Sequence, residues 1–281
     1  MAARLSRYHD MVLVVVVMVL VLVGWFLTVF FIAGKLFRGS FNRYVYKNEW
    51  LETFWTVTPA AFLGVLGYVS LVNLYDIEVG DHVDHVVKVT GHQWYWEYRY
   101  EVSFSEVNKE QHKQYLVDWL ETNRGLSLTG SDWRSSLEGL AELFMVGDWF
   151  LKHDSYLVPE GDQVSGNFGI KRGFRNQDVR IVCYLAHRRK NEILVRTADV
   201  IHRWGVSELG VKVDAVPGRG NAVRVEPVIP GFAFGNCYEL CGEGHRQMPV
   251  VAFIRSFDNM VWSLKNEIIV ADTTKEFFDR L

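Results

Sequence analysis

Cysteine is scarce in this chain, with three residues in 281, and proline stops at six. Neither sign of charge dominates, since 30 Lys and Arg face 33 Asp and Glu. Three thiols are too few for a disulfide framework. Six prolines beside 23 glycines and 14% aromatic residues exclude collagen-like and disordered chains. Internal repeats and low-complexity segments are missing. After Asp76 no apolar stretch is long enough to cross a bilayer, which rules out a multi-span transporter. A wholly cytosolic globular protein is ruled out by what lies before it.

Two runs carry no charge, the 24 residues between Asp10 and Lys35 and the 23 between Glu52 and Asp76. Each exceeds the roughly 20 apolar residues that cross a bilayer core of about 30 Å. A cleaved signal peptide is the alternative for the first run. Its apolar length exceeds the roughly 7–15 residues of a signal core, and a second span follows. The expectation is a helical hairpin over residues 1–76 with spans at about 11–34 and 53–75. Pro59 then falls in the first turns of the second helix, where a missing N–H does little harm. Trp55 and Tyr75 suit the two interfaces. The connecting loop holds Lys35, Arg38, Arg43 and Lys47, against Arg4, Arg7 and Asp10 in the N-terminal tail. The loop therefore belongs on the more negative side, which puts residues 77–281 on the outer face.

That outer portion carries 24 basic and 29 acidic residues, a net of −5, while the first 76 residues carry +2. An acidic domain argues against nucleic acid and leaves room for a basic protein partner. Segments such as VDHVVKVTGHQWYWEYRYEV, VRIVCYLAH, EILVRTADVIHRW, GVKVDAVPG, AVRVEPVIP and VVAFIRSF alternate β-branched and aromatic residues between turn signals. They predict a β-sandwich or Greek-key barrel. Between about 103 and 152 the period changes to helical. That stretch reads as a helical insertion, or more boldly as a docking surface for another subunit. The last residues, from Asn259 on, predict a short surface helix.

The chemistry concentrates in CYELCGEGHRQM, which sets Cys237, Glu239, Cys241, His245 and Met248 in one glycine-bearing turn. Gly235, Gly242 and Gly244 let the backbone bend there. His202, about 35 residues upstream, closes a strand and could approach from a neighbour. Two thiolates and two imidazoles satisfy tetrahedral zinc. Thiolate with thioether and imidazole is the palette of copper redox sites, and two thiolates can bridge two coppers. Each copper would then be finished by one histidine and one weak ligand, Met248 or a backbone carbonyl. A Cys237–Cys241 disulfide would leave the adjacent histidine idle, and a lone methionine is most often a core gap-filler.

Cys-x-Glu-x-Cys-Gly-x-x-His-x-x-Met with an upstream Asp-Val-x-His resembles subunit II of the haem–copper cytochrome c oxidases. NEWLETFWTVTPA, GHQWYWEYRY and ADVIHRWGVSELGVKVDAVPGR extend the resemblance, in order, through most of the chain. It implies an all-β cupredoxin-like Greek-key domain behind the membrane hairpin. It also implies a binuclear copper A centre, two copper ions held by His202, Cys237, Cys241, His245, Met248 and the carbonyl of Glu239. The Glu239 side chain would reach a magnesium ion shared with subunit I. Trp94 would be the point where electrons arrive from cytochrome c, and Asp199 one of the acids that dock it. Glu52 matches a glutamate near the entrance of a proton pathway; a headgroup-level helix cap is the alternative. Trp94, Tyr95 and Trp96 alternate along one predicted strand, so the choice of Trp94 rests on the resemblance.

On this reading, reduced cytochrome c delivers electrons to copper A, and these pass to haem in subunit I. Oxygen reduction coupled to proton translocation occurs there, because the two spans here contain no haem-ligand array. The implied setting is the mitochondrial inner membrane, since no cleavable presequence is visible, with the outer domain in the intermembrane space among lipid and other oxidase subunits. Two departures stand out: the helical stretch replaces a short acidic connection, and His187-Arg188-Arg189-Lys190 is basic where the surface should attract a cation. His82, His85, His92, His112 and His153 are scattered singly and carry no assigned role. A membrane-tethered module that stores copper or zinc is the rival from another class. The related quinol oxidase subunit, which lacks the copper ligands, conflicts with the complete set found here.

Overall fold

A computed structural model describes residues 2–36, 47–77, 82–104, 109–124, 133–159, 161 and 174–279. The chain divides into two compact units, Met1–Glu78 and Val79–Leu281. The first holds two helices, α1 (Ala2–Leu36) and α2 (Glu49–Ile77), both long and apolar enough to cross a membrane. Their apolar side chains are exposed on every side, as helices solvated by lipid require. An edge-on contact between Phe26 and Trp55, with ring centroids 5.8 Å apart, joins them. α2 begins four residues earlier than expected because Asn48 caps it: its Oδ1 accepts the Leu51 N–H at 3.1 Å. Pro59 consequently sits in the helix interior instead of its first turns, where it removes one ladder bond. Of the loop cations behind the orientation argument, Arg38, Arg43 and the Lys35 side chain lie outside the described residues. Lys47 is paired with Glu49 at 2.7 Å.

The second unit is a double sheet with a helical annex. Strands β1 (His85–His92), β2 (Tyr95–Ser103), β3 (Asp148–Ser155), β4 (Cys183–Ala186), β5 (Asn191–Thr197) and β6 (His202–Val206) come first. Then follow β7 (Val211–Ala215), β8 (Asn221–Val225), β9 (Gly231–Cys237) and β10 (Pro249–Arg255). One sheet has the order β3-β2-β1-β5-β8 and the other β4-β10-β9-β6-β7. β1 and β2 form an antiparallel hairpin, and β1 also pairs in parallel with β5, Val87 opposite Ile193. Alternate residues point inward: Val87, Val89, Trp96, Tyr98 and Tyr100 from the first sheet, and Trp204, Val206, Val250, Ala252 and Ile254 from the second, all buried. The double-sheet expectation therefore stands, with two corrections at its edges. EILVRTADVIHRW is two strands, not one, and His202 opens β6 instead of closing a strand. The 27 residues between β3 and β4 contribute only an isolated bridge, Leu157 to Val179, among those described.

The helical stretch is shorter than its period suggested. It comprises α3 (Lys109–Arg124) and α4 (Trp133–Met145), after which DWFLKHDS turns into β3 and adds an edge to the first sheet, Trp96 opposite Ser155. A short apolar run at the end of a helix, here Trp149, Phe150 and Leu151, can equally be a strand, and the partner strand decides. The C-terminal stretch forms two helices, α5 (Phe257–Val270) and α6 (Asp272–Asp279). α5 is no surface helix, since Met260, Leu264, Ile268 and Ile269 are buried. It joins α3 and α4 in a second core with Leu116, Leu120, Leu137, Phe144 and Phe278. Phe144 stacks on Phe278 at 5.4 Å and on Trp149 at 4.0 Å. The insertion thus spends its apolar face within the chain, which favours the plain reading over a docking surface.

Candidate metal centre

Three strand ends and one loop converge at one end of the double sheet. β6 starts with His202, β9 ends with Cys237, the loop between β9 and β10 carries Cys241 and His245, and Met248 precedes Pro249 at the start of β10. β6 and β9 pair antiparallel with Trp204 opposite Cys237, so His202 is brought level with the sulfurs. That closeness depends on Gly235. A Cβ there would lie 1.9 Å from the Gly205 carbonyl oxygen, so the glycine permits strand approach. Its role is not to bend the loop, as the sequence suggested. Gly242, at φ +122°, does turn the chain.

The donor atoms fall into two half-sites. Cys237 Sγ lies 3.9 Å from His202 Nδ1 and 3.3 Å from the Glu239 carbonyl oxygen. Cys241 Sγ lies 3.5 Å from His245 Nδ1 and 3.4 Å from Met248 Sδ. Ligand atoms of His202, Cys237 and Cys241 are all within 4.8 Å of one another, and all three residues are buried. All three cysteines are free thiols, so no disulfide claims the pair. Each sulfur therefore has one imidazole and one weak donor beside it. This donor set fits a two-copper thiolate-bridged centre, and a single tetrahedral zinc would leave the thioether without purpose.

Electrostatics at the pair are asymmetric. Burial works to raise the Cys237 thiol, but the His202 imidazole and the donors around the sulfur outweigh it and hold its pKa below the ordinary thiol value. Burial raises Cys241, and the adjacent Cys237 sulfur adds to the effect. One thiolate forms readily and the second is opposed, a situation that a bound cation resolves. His202 is fully buried, and its Nε2 donates to Asp199 Oδ1 at 2.8 Å, which leaves Nδ1 facing Cys237. Burial opposes ionisation of Asp199. The bonds from His202, the Gln93 N–H at 2.7 Å and the Val200 N–H at 2.6 Å prevail and lower its pKa. A carboxylate on the far nitrogen of a metal-facing histidine fixes tautomer and ring orientation.

Other expected residues take different places. Trp94 lies in the turn between β1 and β2, not on a strand, and it is half-buried. Its Nε1 donates to the Cys241 carbonyl at 3.3 Å. Gly244 lies so close beneath it that a Cβ would come 2.4 Å from the ring. Trp96 is fully buried and donates to the Met248 carbonyl at 3.2 Å. The Glu239 carboxylate pairs with Arg203 Nη2 at 3.2 Å, and the same guanidinium holds Asp214. Glu52 is exposed in the first turn of α2 and belongs to none of the metal-ligating groups among the described residues. Asp199 is a tied carboxylate, 31% exposed, with both oxygens engaged. Gln93 had no assigned role, although it donates from Nε2 to the Cys241 carbonyl at 2.8 Å. Its place next to Trp94 in GHQWYW was the available signal. The role of Asp199 as the partner of His202 could have been read from their three-residue spacing.

Comparison with known proteins bears on this arrangement. The family described as cytochrome C oxidase subunit II, transmembrane domain, matches residues 1–72, and the one described as cytochrome C oxidase subunit II, periplasmic domain, matches 129–254. Cytochrome c oxidase subunit 2 of Simulium vittatum is 31% identical over 248 residues, covering 88% of this chain and 84% of that one. The chain belongs to the cytochrome c oxidase subunit II family. The Drosophila melanogaster protein matches with the same identity and coverage, and that of Choristoneura rosaceana is 30% identical over 259 residues, 92% of this chain and 89% of its own. The periplasmic domain of subunit II of the Bradyrhizobium japonicum cytochrome oxidase is 22% identical over 67% of this chain and 99% of that domain, with a TM-score of 0.43. The chain is accordingly a membrane protein and a subunit of an oxidase assembly, with an oxidoreductase role and a buried His/Cys/Cys group that could hold metal. The hairpin that bears Gln93 and Trp94 falls between the two matched ranges.

Proposed function

We propose that this subunit receives electrons from reduced cytochrome c at a binuclear copper A centre and passes them to haem in subunit I, where oxygen reduction is coupled to proton translocation. When bound, the two coppers supply a one-electron acceptor and donor whose charge is shared across both sulfurs. His202, Cys237 and the Glu239 carbonyl would hold one ion, and His245, Cys241 and Met248 the other. The single observation that carries the reading is the pairing of each sulfur with one imidazole and one weak donor.

The chain's own residues supply rigidity and access. Asp199 keeps the Nε2 proton of His202 in place, and both His202 and Trp96 are packed into the sandwich at 5.8 Å from each other. A buried, fixed donor set limits reorganisation when charge changes. Trp94, half-buried and bonded to the Cys241 carbonyl, offers an indole between the site and the surface. Asp199 contributes to docking through its field, since its oxygens are already engaged; the net charge of −5 over residues 77–281 works in the same sense. The Glu239 carboxylate, at the edge of the site, would exchange Arg203 for a magnesium ion shared with subunit I. Glu52 would sit near a proton-pathway entrance. The setting we propose is the mitochondrial inner membrane, and the basic loop between the spans supports placing residues 77–281 on its outer face, in the intermembrane space.

The test is Met248→Leu in the assembled oxidase. The subunit should fold and assemble while the midpoint potential of the centre moves and cytochrome c oxidation slows. An unchanged potential removes Met248 from the ligand set.

A further inference from the structure

The turn between β1 and β2 touches both ligand-bearing segments, and one residue does so twice. The Gln93 backbone N–H donates to Asp199 Oδ2 at 2.7 Å, while the other oxygen of Asp199 receives the His202 Nε2–H at 2.8 Å. The Gln93 side chain reaches the opposite way, and its Nε2 donates to the Cys241 carbonyl at 2.8 Å. His202 stands on β6, and Cys241 lies 39 residues later in the loop after β9. Beyond the β6–β9 register of Trp204 to Val206, the Tyr238 N–H to the Arg203 carbonyl at 2.9 Å and the Arg203–Glu239 ion pair at 3.2 Å join the first residues of that loop to the start of β6, and neither reaches Cys241. Gln93 is thus a bridge of four hydrogen-bonded members, from His202 through Asp199 and Gln93 to Cys241.

We infer that Gln93 is a positioning residue for the metal centre: by clamping Asp199 with its backbone and the Cys241 carbonyl with its amide, it sets the two half-sites at a fixed separation before any ion binds. The carbonyl of Cys241 takes two donors, Gln93 Nε2 and Trp94 Nε1, and the Gln93 contact is the shorter. With the carbonyl fixed, the peptide on its far side carries Gly242 into its turn, and the Cys241 sulfur faces His245 and Met248. Glutamine suits this position because it donates without bringing charge into a site already crowded with sulfur. An acid would set carboxylate oxygens against the carbonyl and the thiolates.

The copper readout rests on the functional reading above, whereas the loop readout does not. The experiment compares the full-length chain in mild detergent as the parent, Gln93→Ala and the isosteric Gln93→Glu. Hydrogen exchange of the amides in 238–248 is followed in metal-free protein. Loaded protein is followed by its rate of copper loss to a chelator and by the hyperfine pattern of its spin resonance. Loss of one neutral hydrogen bond should speed both exchange and copper loss by roughly three- to tenfold in Gln93→Ala, with an altered hyperfine pattern. Gln93→Glu, equal in shape but unable to donate when ionised, should do at least as much. Parent-like exchange in both variants would overturn the inference. So would a change in Gln93→Ala with none in Gln93→Glu, because volume and not donation would then be the cause. A parent that binds zinc would defeat the functional reading, and the metal-free exchange would still decide the role of Gln93.

Discussion

Gly244→Ala probes the packing between the ligand loop and the indole that covers it. A Cβ at residue 244 would stand 2.4 Å from Trp94 Cδ2, 2.5 Å from Cγ and 2.8 Å from Cε3. Ordinary contact begins at 3.4 Å, so the ring must retreat by about 1 Å or the loop must rise by as much. An indole is rigid and is held by its Nε1 bond to the Cys241 carbonyl, so it cannot yield by a small rotation alone. Overpacking of this kind costs about 1–3 kcal/mol. The lost or stretched hydrogen bond adds about 1 kcal/mol. We expect Gly244→Ala to lower the unfolding free energy of residues 79–281 by about 2–4 kcal/mol. Urea titration of the full chain in mild detergent measures this loss, with near-ultraviolet dichroism as the tryptophan probe. The dichroic band should change already in the absence of urea. In the assembled enzyme, oxidation of cytochrome c should slow more than oxidation of a small artificial donor, because Trp94 leaves the carbonyl it touches. A variant within about 0.5 kcal/mol of the parent, with an unchanged dichroic band, would refute the packing argument.

Gly235→Ala sets a methyl group 1.9 Å from the Gly205 carbonyl oxygen, which is backbone and cannot swing away. The β6–β9 pairing should fail, and little folded protein should be recovered; a soluble variant with parent-like strand dichroism would contradict this. Asp199→Ala strips the acceptor from the buried His202 Nε2–H and from the Gln93 N–H, so copper affinity should fall by about 10–100-fold in a chelator competition, and less than twofold would argue against it. His112 is 1% exposed, against Trp262 at 4.4 Å, and burial aided by the nearby Lys265 pushes its pKa down to about 4. Burial likewise lowers His85 to about 4. The unfolded chain takes up these protons near pH 6.5 while the folded chain refuses them until about pH 4. Stability is therefore full above about pH 6.5 and is lost on acidification towards pH 4, by about 3 kcal/mol at most for each histidine. His112→Phe should flatten that slope, and an identical pH dependence would exclude His112 as a source.

The candidate donor cluster was legible because five of its six residues lie in a dozen consecutive positions, and local spacing survives any fold. The two apolar helices were equally legible, since a bilayer fixes length and composition. The half-site arrangement was not, because it depends on the register of β6 against β9 and hence on two glycines, 205 and 235, that touch across strands. Trp94 was assigned to a strand because WYWEY alternates, yet the hairpin turns at Gln93–Trp94 and the strand starts at Tyr95. DWFL, at the end of the 103–152 stretch, was read as the tail of a helix, since a short apolar run carries no period of its own; pairing with β2 overrides it. The bonds made by Gln93 were hidden for a related reason, although its place beside Trp94 was a signal. Its two partners stand 106 and 148 residues away, and nothing local marks them. The five scattered histidines include two, His85 and His112, whose burial only the tertiary structure reveals.

Metal analysis joined to electron spin resonance of the full chain, purified with its membrane helices in mild detergent, bears most directly on the claim that the paired sulfurs hold a dicopper electron carrier. Two coppers per chain, with one unpaired electron spread equally over both nuclei, is the predicted result. A single zinc per chain, with no copper resonance after oxidation, would contradict it.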